Sequence, residues 1–348
     1  MLSVMAILIS VMLAMVTGWL LCLADVADPP DAARKAHDTV TPTCGGVGVI
    51  AAASVALAIA SAGLQAEGMI DAKDAMRLAA VWVFALTAGG LGLVDDLFDL
   101  SARLKFSALA AISVAFAVFV ARVDAIGVTP RLVIELGVAG GVAGTALWLF
   151  TIVNAVNFMD GANGLALGCS AIGLCGLALY AALAGAAYIA LAALVVAASS
   201  VGFLPWNVPR ARIFAGDCGA LFVGATIGGL GVLAITDAGL SVWMLPVLFM
   251  PLLADVLLTL EWRRRRGRPL LAAHRDHLYQ VGLRAKVPHW QVSLVYWLAM
   301  AHCALAASAG WLFGDRGALA AFLVTIALAL FLSARVRQFE KVRGLADG

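Results

Sequence analysis

The chain of 348 residues is far too apolar to fold as a soluble globular domain. Hydrophobic residues make up 63% of it and charged residues only 13%, with a mean hydropathy of +1.00 and a net charge of +2. Soluble domains carry about 25% charged residues, so the composition excludes that class. The six cysteines are scattered without a C-x-x-C pair, which favours free thiols over disulfides or zinc ligands.

Apolar stretches of about 18 to 25 residues recur along nearly the whole chain, the pattern of a polytopic α-helical membrane protein. A transmembrane barrel would instead show short segments of alternating polarity. We therefore predict an all-α fold, a single membrane domain over residues 1–348 with about eleven transmembrane helices. The predicted spans are roughly 2–24, 47–66, 77–94, 105–121, 132–153, 164–183, 186–205, 218–236, 239–261, 291–313 and 317–334.

The positions of the basic residues predict how the chain is oriented. With the N-terminus outside, most of the 23 Lys and Arg fall in cytoplasmic segments, as the positive-inside rule requires. This orientation places a His-containing loop (262–290) and a polar tail (335–348) in the cytoplasm, with a short outside turn near Val123–Pro130. The first span has no basic residue before it and no small-residue cleavage site, so we expect it to be retained. All the unusual polar clusters then share the cytoplasmic side.

The segment G-L-V-D-D-L-F-D, residues 92–99, brings Asp95, Asp96 and Asp99 to a predicted membrane boundary. Asp95 and Asp99 lie four residues apart and would share one helix face. Carboxylates in such a place are costly unless they are paired, hydrated or bound to metal. With Arg103 and Lys105 following, the segment predicts a divalent-cation or phosphate site. An acidic loop without a ligand is the alternative.

Asn154, Asn157 and Asp160 recur every third residue at the end of the fifth predicted span, and Asn163 follows in a turn. Their amide and carboxylate groups would form a platform for a sugar, a base or a metal-bound phosphate. A capped helix-turn-helix without a ligand is the alternative. Asp217, between two glycines at the start of another span, could cap a helix or share a metal with Asp95 or Asp96.

Two features of the C-terminal half also stand out. Asp255 lies about two turns inside a predicted helix end, where a lone carboxylate is a site candidate by default. Extension of its side chain towards the arginines at 263–266 is the alternative. His274 and His277 flank Arg275 and could form a titratable, basic group for a diphosphate. A zinc half-site is disfavoured, because no third ligand lies near in sequence.

Five segments in this order resemble the polyprenyl-phosphate N-acetylhexosamine-1-phosphate transferases of glycosyltransferase family 4. They are R-K-A-H-D-T-V-T-P-T-C-G-G, G-L-V-D-D-L-F-D, N-A-V-N-F-M-D-G-A-N-G-L-A, F-A-G-D-C-G and H-R-D-H-L. The resemblance implies transfer of a HexNAc-1-phosphate from a UDP-N-acetylhexosamine to undecaprenyl phosphate, which releases UMP and starts a cell-surface glycan such as O-antigen. Two anionic phosphates must meet in that reaction, so a divalent cation is expected, Mg²⁺ or alternatively Mn²⁺.

The resemblance also assigns roles to individual residues. It implies that Asp95, Asp96 and His277 are catalytic and that Asp217 and Asn157 hold the metal. The residues expected to bind substrate are Lys35, Thr43, Asp99, Asn154, Asp160, Asn163, His274 and Arg275. Expected partners are the two substrates and membrane lipid, with no nucleic acid. A homodimer is compatible with the family, and a bacterial inner membrane is the expected location.

The chain departs from the family pattern at three positions. Asn163 stands where many members have Asp, Tyr279 replaces a second His and His274 an Asp. These departures leave the donor open among UDP-linked GlcNAc, GalNAc, QuiNAc and FucNAc, with a MurNAc-pentapeptide donor least expected. Two other classes compete with the enzyme. One is an ion-coupled secondary transporter, which would place its site near the bilayer midplane. The other is a scaffold for polysaccharide assembly.

Overall fold

The computed structural model describes residues 2–23, 43–270, 272 and 274–345. Within these ranges the chain forms thirteen helices and one two-stranded sheet. The helices are α1 Leu2–Leu23, α2 Gly45–Ala66, α3 Ala72–Phe98, α4 Ala102–Phe119, α5 Gly137–Phe158, α6 Leu165–Leu183, α7 Ala187–Asn207, α8 Gly216–Thr236, α9 Met244–Leu248, α10 Met250–Arg265, α11 Leu278–Arg284, α12 His289–Ala306 and α13 Ser308–Val342.

Nine of the described helices are long and apolar enough to cross a membrane. The predicted all-α, multi-pass membrane fold is therefore confirmed. The predicted spans 239–261 and 291–313 correspond to α9 with α10 and to α12, which are not among the nine. Helix α10 has 16 residues and ends in three arginines, so its apolar part is short. The number of crossings, eleven, and the orientation stay predictions.

Helix α8 forms the centre of the bundle, and 94% of its apolar span is buried inside the protein. Its many glycines and alanines let neighbouring helices approach closely, as small residues do in membrane bundles. A Cβ atom on Gly224 would lie 2.8 Å from the Cα atom of Val153 in α5, and one on Gly228 would lie 2.9 Å from the Leu149 side chain. Helix α3 is equally close on another side, because Gly92 packs directly on the backbone of Asp217.

The turn between α3 and α4 is unusually tight. Asp99 ends α3 in a left-handed conformation with φ of 49°, and the Ser101 side chain caps α4 by accepting a hydrogen bond from the Leu104 backbone N–H. Ser is a favoured residue at such a cap because its oxygen satisfies one of the free N–H groups of the first turn. This turn brings the last residues of α3 beside the first turn of α4.

A small β-hairpin stands at the opposite end of the bundle. Strands β1 (Ala125–Thr129) and β2 (Leu132–Glu135) pair antiparallel with an irregularity after Gly127. The indole N–H of Trp243 donates to the Gly127 carbonyl at 2.7 Å, which ties the hairpin to the start of α9. The sequence predicted only a turn here, and its fifth span, from residue 132, began too early. The strand occupies those residues, and α5 begins at Gly137.

Helix α13 is longer than the predicted span that it contains. It is interrupted at Gly314, whose φ of 61° and ψ of −150° are not helical, and then continues to Val342. The predicted span ended at residue 334. The described part of the predicted polar tail is therefore largely a helical extension of the bundle.

The packing of α3 on α8 gives a direct test. A Cβ atom on Gly92 would lie 2.6 Å from the Cys218 backbone nitrogen and closer still to the Asp217 carbonyl. Because backbone atoms cannot move aside cheaply, we expect Gly92→Ala to destabilise the protein by about 1–3 kcal/mol. Thermal unfolding of the detergent-solubilised protein measures this. Gly90→Ala is the matched control, since Gly90 has open space around it in the same helix. Equal unfolding temperatures for the two variants would contradict the close approach.

Candidate active site

A lysine that the sequence analysis treated only as a neighbour of the acidic segment lies at the centre of the site. The Lys105 ammonium in the first turn of α4 donates to Asp95 Oδ2 at 2.8 Å, to Asp217 Oδ2 and to Asn157 Oδ1 at 3.4 Å. Asn157 Nδ2 in turn donates to Asp217 Oδ1 at 2.8 Å. The Lys105 side chain is only 11% exposed. We call these four residues the Lys105 cluster.

Asp96 lies beside this cluster but serves the backbone of another helix. Its two carboxylate oxygens accept hydrogen bonds from the N–H groups of Asp217 and Cys218, both at 3.0 Å. Helix α8 has no side-chain cap of its own, so a carboxylate from α3 caps it. The alternative interpretation of Asp217 as an N-cap is therefore wrong. Its carboxylate points to Lys105 and Asn157, and Asp96 does the capping.

The approach to this cap requires glycine at position 216. Gly216 has a φ of +69°, and a Cβ atom there would lie 2.6 Å from Asp96 Oδ2 and 2.5 Å from the Thr43 carbonyl oxygen. Thr43 is thus placed beside the start of α8, at the edge of the acidic group. Lys35, predicted for the same loop, lies outside the described residues.

Asp160 follows α5 in the turn towards α6. No hydrogen bond or ion pair joins its carboxylate to a residue in the ranges that the structure covers. Burial raises the pKa of Asp160 well above its usual value, and the nearby charges of Asp217 and Asp96 raise it further. A carboxyl group with two acidic neighbours and no partner is one that a cation would stabilise in its charged form.

Two predicted substrate residues make their hydrogen bonds with groups outside the Lys105 cluster. Asn154 is buried in α5, where Nδ2 donates to the Phe150 carbonyl at 2.7 Å, and its Oδ1 has no partner among the described groups. Asn163 Nδ2 donates to the Pro209 carbonyl at 3.1 Å, and the Asn163 carbonyl accepts from Ser293 Oγ at 2.7 Å. Asn163 therefore ties the turn between α5 and α6 to its neighbours. Asp99 is exposed at the end of α3.

Asp255 organises the segment that carries the predicted histidines. Only 1% exposed, it accepts hydrogen bonds from the N–H groups of Leu278 at 2.8 Å and Tyr279 at 3.1 Å, and from the Tyr296 hydroxyl at 2.6 Å. His277 Nδ1 lies 3.2 Å from Asp255 Oδ1. The carboxylate thus caps α11 and orients the His277 ring. It does not extend towards the arginines at 263–266, so that alternative is wrong.

The His277 ring lies against the end of α5, the helix that carries Asn157 of the Lys105 cluster. Its centroid lies 6.0 Å from that of Phe158, the residue after Asn157. The Tyr279 hydroxyl donates to the Phe158 carbonyl at 3.2 Å. Burial raises the pKa of Tyr279, so its hydroxyl stays a donor. Tyr279, one of the three departures from the family pattern, thus links α11 to the end of α5.

His274 and Arg275 complete this segment, which we call the His segment (residues 274–277). The ring centroid of His274 lies 5.0 Å from that of His277. Arg275 is exposed, and its carbonyl accepts a hydrogen bond from Arg284. Asp276 is buried and pairs with Arg263 and with Arg268. Burial raises the pKa of Asp276, but the hydrogen bond and charge of Arg263 outweigh it and lower the pKa overall.

The described residues contain no group of three or more His, Cys, Asp or Glu side chains arranged to hold a metal ion. Two carboxylates and one amide oxygen do converge, in the Lys105 cluster. These are hard oxygen donors, and Mg²⁺ is commonly held by one or two carboxylates together with substrate phosphates. The donor set therefore fits Mg²⁺ better than a softer metal.

The environment of His274 predicts a pH dependence of stability. Burial lowers the pKa of His274 to about 4, and the charges of His277 and Arg263 contribute to the shift. Its unfolded pKa is about 6.5, so the unfolded chain takes up the proton first as the pH falls. The contribution of neutral His274 to the free energy of unfolding is complete above pH 6.5 and decreases as the pH falls towards 4.

We expect His274→Gln to show a smaller fall of the unfolding temperature between pH 6.5 and 4 than the unmodified protein. Thermal unfolding across this range measures the difference. His302→Gln, at an exposed histidine in α12, is the control and should follow the unmodified protein. Identical pH profiles for His274→Gln and the unmodified protein would rule out the proposed environment of His274.

Comparisons with known proteins identify the family. Residues 78–235 match the profile of glycosyl transferase family 4. A probable undecaprenyl-phosphate N-acetylglucosaminyl 1-phosphate transferase of Bacillus subtilis (strain 168) is 31% identical, over 76% of this chain and 72% of that protein. A decaprenyl-phosphate N-acetylglucosaminephosphotransferase of Mycobacterium tuberculosis (strain CDC 1551 / Oshkosh) is 30% identical, over 88% of this chain and 81% of that protein.

A phospho-N-acetylmuramoyl-pentapeptide-transferase of Desulforudis audaxviator (strain MP104C) is 29% identical, over 75% of this chain and 84% of that protein. The first two relatives are 31% and 30% identical to this chain, and the matched region covers most of the length of each relative. The resemblance stated from the sequence motifs is confirmed: the chain is a multi-pass membrane protein that belongs to glycosyl transferase family 4.

Proposed function

We propose that this protein transfers an N-acetylhexosamine 1-phosphate from a UDP-linked sugar to a polyprenyl phosphate. The observation that carries the proposal is the Lys105 cluster at one end of an apolar bundle, with the His277 ring against Phe158, the residue that follows Asn157 of the cluster. The relatives named above are transferases with polyprenyl-phosphate acceptors. A site at a helix-bundle end suits this pair of substrates, because one of them is dissolved in the membrane and the other in water.

The reaction is a phosphoryl transfer between two anions. An oxygen of the polyprenyl phosphate attacks the β-phosphorus of the nucleotide sugar, and the bond from that phosphorus to the bridging oxygen breaks. UMP leaves with that oxygen, and a polyprenyl diphosphate sugar remains. Catalysis of such transfers consists mainly of positioning and of neutralising charge. Lys105 is a largely buried cation that donates to two of the carboxylates, and it would meet the phosphates.

Asp95, Asp217 and Asn157 are the residues that would hold Mg²⁺, with Mn²⁺ as an alternative. Bound there, the ion would supply positive charge to the substrate phosphates. Asp160 supports the assignment. It has no partner in the described chain and two acidic neighbours, so a bound cation would stabilise its charged form. Lys105 would remain hydrogen-bonded to whichever carboxylate oxygens the substrates and the ion leave available.

Asp96 and His277 take different parts in this proposal. Asp96 already accepts two backbone hydrogen bonds, so we assign it to holding Asp217 in place, although the motif groups it with Asp95. The Nδ1 atom of His277 faces Asp255, which leaves Nε2 for the diphosphate of the donor. Which carboxylate orients or deprotonates the acceptor phosphate stays a prediction.

The transporter alternative finds no support. Ion-coupled transporters carry their sites near the middle of the membrane on broken helices, whereas this cluster joins helix ends and the turns between them. The relatives reported are named as transferases. We propose N-acetylglucosamine as the first donor to test, a bacterial inner membrane as the location and a cell-surface glycan as the product. A homodimer stays a prediction.

The proposed reaction predicts release of UMP. Purified protein with a short polyprenyl phosphate, Mg²⁺ and UDP-GlcNAc should produce UMP, and UDP-linked GalNAc, QuiNAc and FucNAc test the donor. Chelation by EDTA should stop the release, and either Mg²⁺ or Mn²⁺ should restore it. Folded protein that releases no UMP from any of these donors would refute the proposal.

A substitution in the Lys105 cluster separates catalysis from folding. We expect Asp217→Asn to reduce kcat by at least about a hundredfold, because a carboxylate that meets the metal and phosphates loses its charge. Its unfolding temperature should change little, since Lys105 keeps Asp95 as a partner. Asp124→Asn is the control: Asp124 is exposed, pairs with Arg122 and lies before the β-hairpin. A fully active Asp217→Asn would contradict the role that we assign to the Asp217 carboxylate at the metal and the phosphates.

A further inference from the structure

The extension of α13 beyond the predicted span has no part in the function proposed so far. We call it the C-terminal brace (residues 335–345). It is helical to Val342 and runs beside α10 and α11. The sequence predicted a polar tail here, but two side chains of this segment are packed into the protein. Their contacts lead directly to the His segment.

Arg337 is the first of these side chains. Its Nη2 atom donates to the Asp276 carbonyl at 2.6 Å and to Thr259 Oγ1 at 3.1 Å. The guanidinium carbon also lies 4.2 Å from the ring centroid of Trp262. Asp276 immediately precedes His277, so Arg337 fastens the backbone before the histidine to α10.

Glu340 is the second, and its side chain is only 4% exposed. Glu340 Oε2 accepts from Arg337 Nη1 at 3.0 Å, and Oε1 accepts from Arg284 Nη2. Arg284 in turn donates to the Arg275 carbonyl and, through Nε, to the Leu345 carbonyl at 3.1 Å. One buried carboxylate thus holds two arginines, and each of them binds a backbone carbonyl of the His segment.

These contacts complete the support of His277. Asp255 orients its ring and caps the helix that follows it, whereas the residues before it are held by the brace and by the pairing of Asp276 with Arg263. A planar guanidinium is suited to this task, because it offers several donors in a fixed geometry.

We propose that the C-terminal brace positions His277 for the transfer reaction, with Arg337 and Glu340 as positioning residues. The proposal rests on the function proposed above. Both residues act through the backbone of the His segment, and their described partners lie outside the Lys105 cluster. A displacement of about 1 Å at a catalytic group can reduce the rate about a hundredfold, so loss of the brace should affect turnover without removing any group that meets the substrates.

The test compares Arg337→Ala with Arg335→Ala in the full-length protein. Arg335 is the same residue type in the same helix, exposed and hydrogen-bonded to Gln338. For Arg337→Ala we expect amide hydrogen exchange across residues 274–284 to rise at least about tenfold. We also expect kcat for UMP release to fall by about tenfold to a hundredfold. The KM for the nucleotide sugar should stay within about threefold, and Arg335→Ala should match the unmodified protein.

Glu340→Gln provides a second route if Arg337→Ala does not fold. It keeps the shape of the side chain but removes the charge that holds both arginines, so the same changes should appear in a weaker form. Unchanged exchange or unchanged kcat in a folded variant would overturn the proposal, as would an equal loss in Arg335→Ala. If the unmodified protein released no UMP with any donor, the proposed function would fail. Unchanged amide hydrogen exchange in Arg337→Ala would overturn the proposed role of the C-terminal brace, whether or not the unmodified protein releases UMP.

Discussion

The close approach of α3 and α8 is the constraint on which the rest of the structure depends. Gly92 lets the two backbones meet, and at the same level Asp96 reaches across to cap the start of α8. Because the cap fixes the first turn of α8, it also fixes the direction of the Asp217 side chain. Lys105 then enters from α4 and pairs with acids from both helices. The positions of the charged groups in the site therefore depend on the close packing of small residues between α3 and α8.

The carboxylates of the site differ in what already surrounds them. Asp95 accepts the Leu100 N–H at 2.8 Å as well as the Lys105 ammonium, and both oxygens of Asp96 accept backbone donors. Asp160 has no partner within the described chain. A cluster of negative charge is stable in an apolar bundle only if it is neutralised from within or by a ligand. Here Lys105 neutralises part of it, and the remaining negative charge is the reason for proposing a cation at this site.

Much of this could be predicted from the sequence, and the failures have physical reasons. Apolar stretches gave the helices, and the basic residues correctly grouped Asp95, Asp96 and Asp217 at one end. Lys105 was passed over because its place depends on the tight turn at Asp99, which no periodicity reveals. The capping role of Asp96 was missed for a similar reason, since capping rules concern residues adjacent in sequence. Asp255 was singled out as a site candidate, but the groups that it binds come from distant segments and could not be identified from the sequence. The roles assigned to the site residues stay predictions.

The cap formed by Asp96 has a consequence for how mutants of this chain are interpreted. Replacing Asp96 would free two N–H groups at the start of α8 and release the neighbouring Asp217 from its orientation. An inactive Asp96 variant is therefore no proof that this carboxylate ever touches a proton or a phosphate. Of two adjacent acids in one motif, one can hold the structure and the other can meet the substrates. A loss-of-function screen alone would score both as essential.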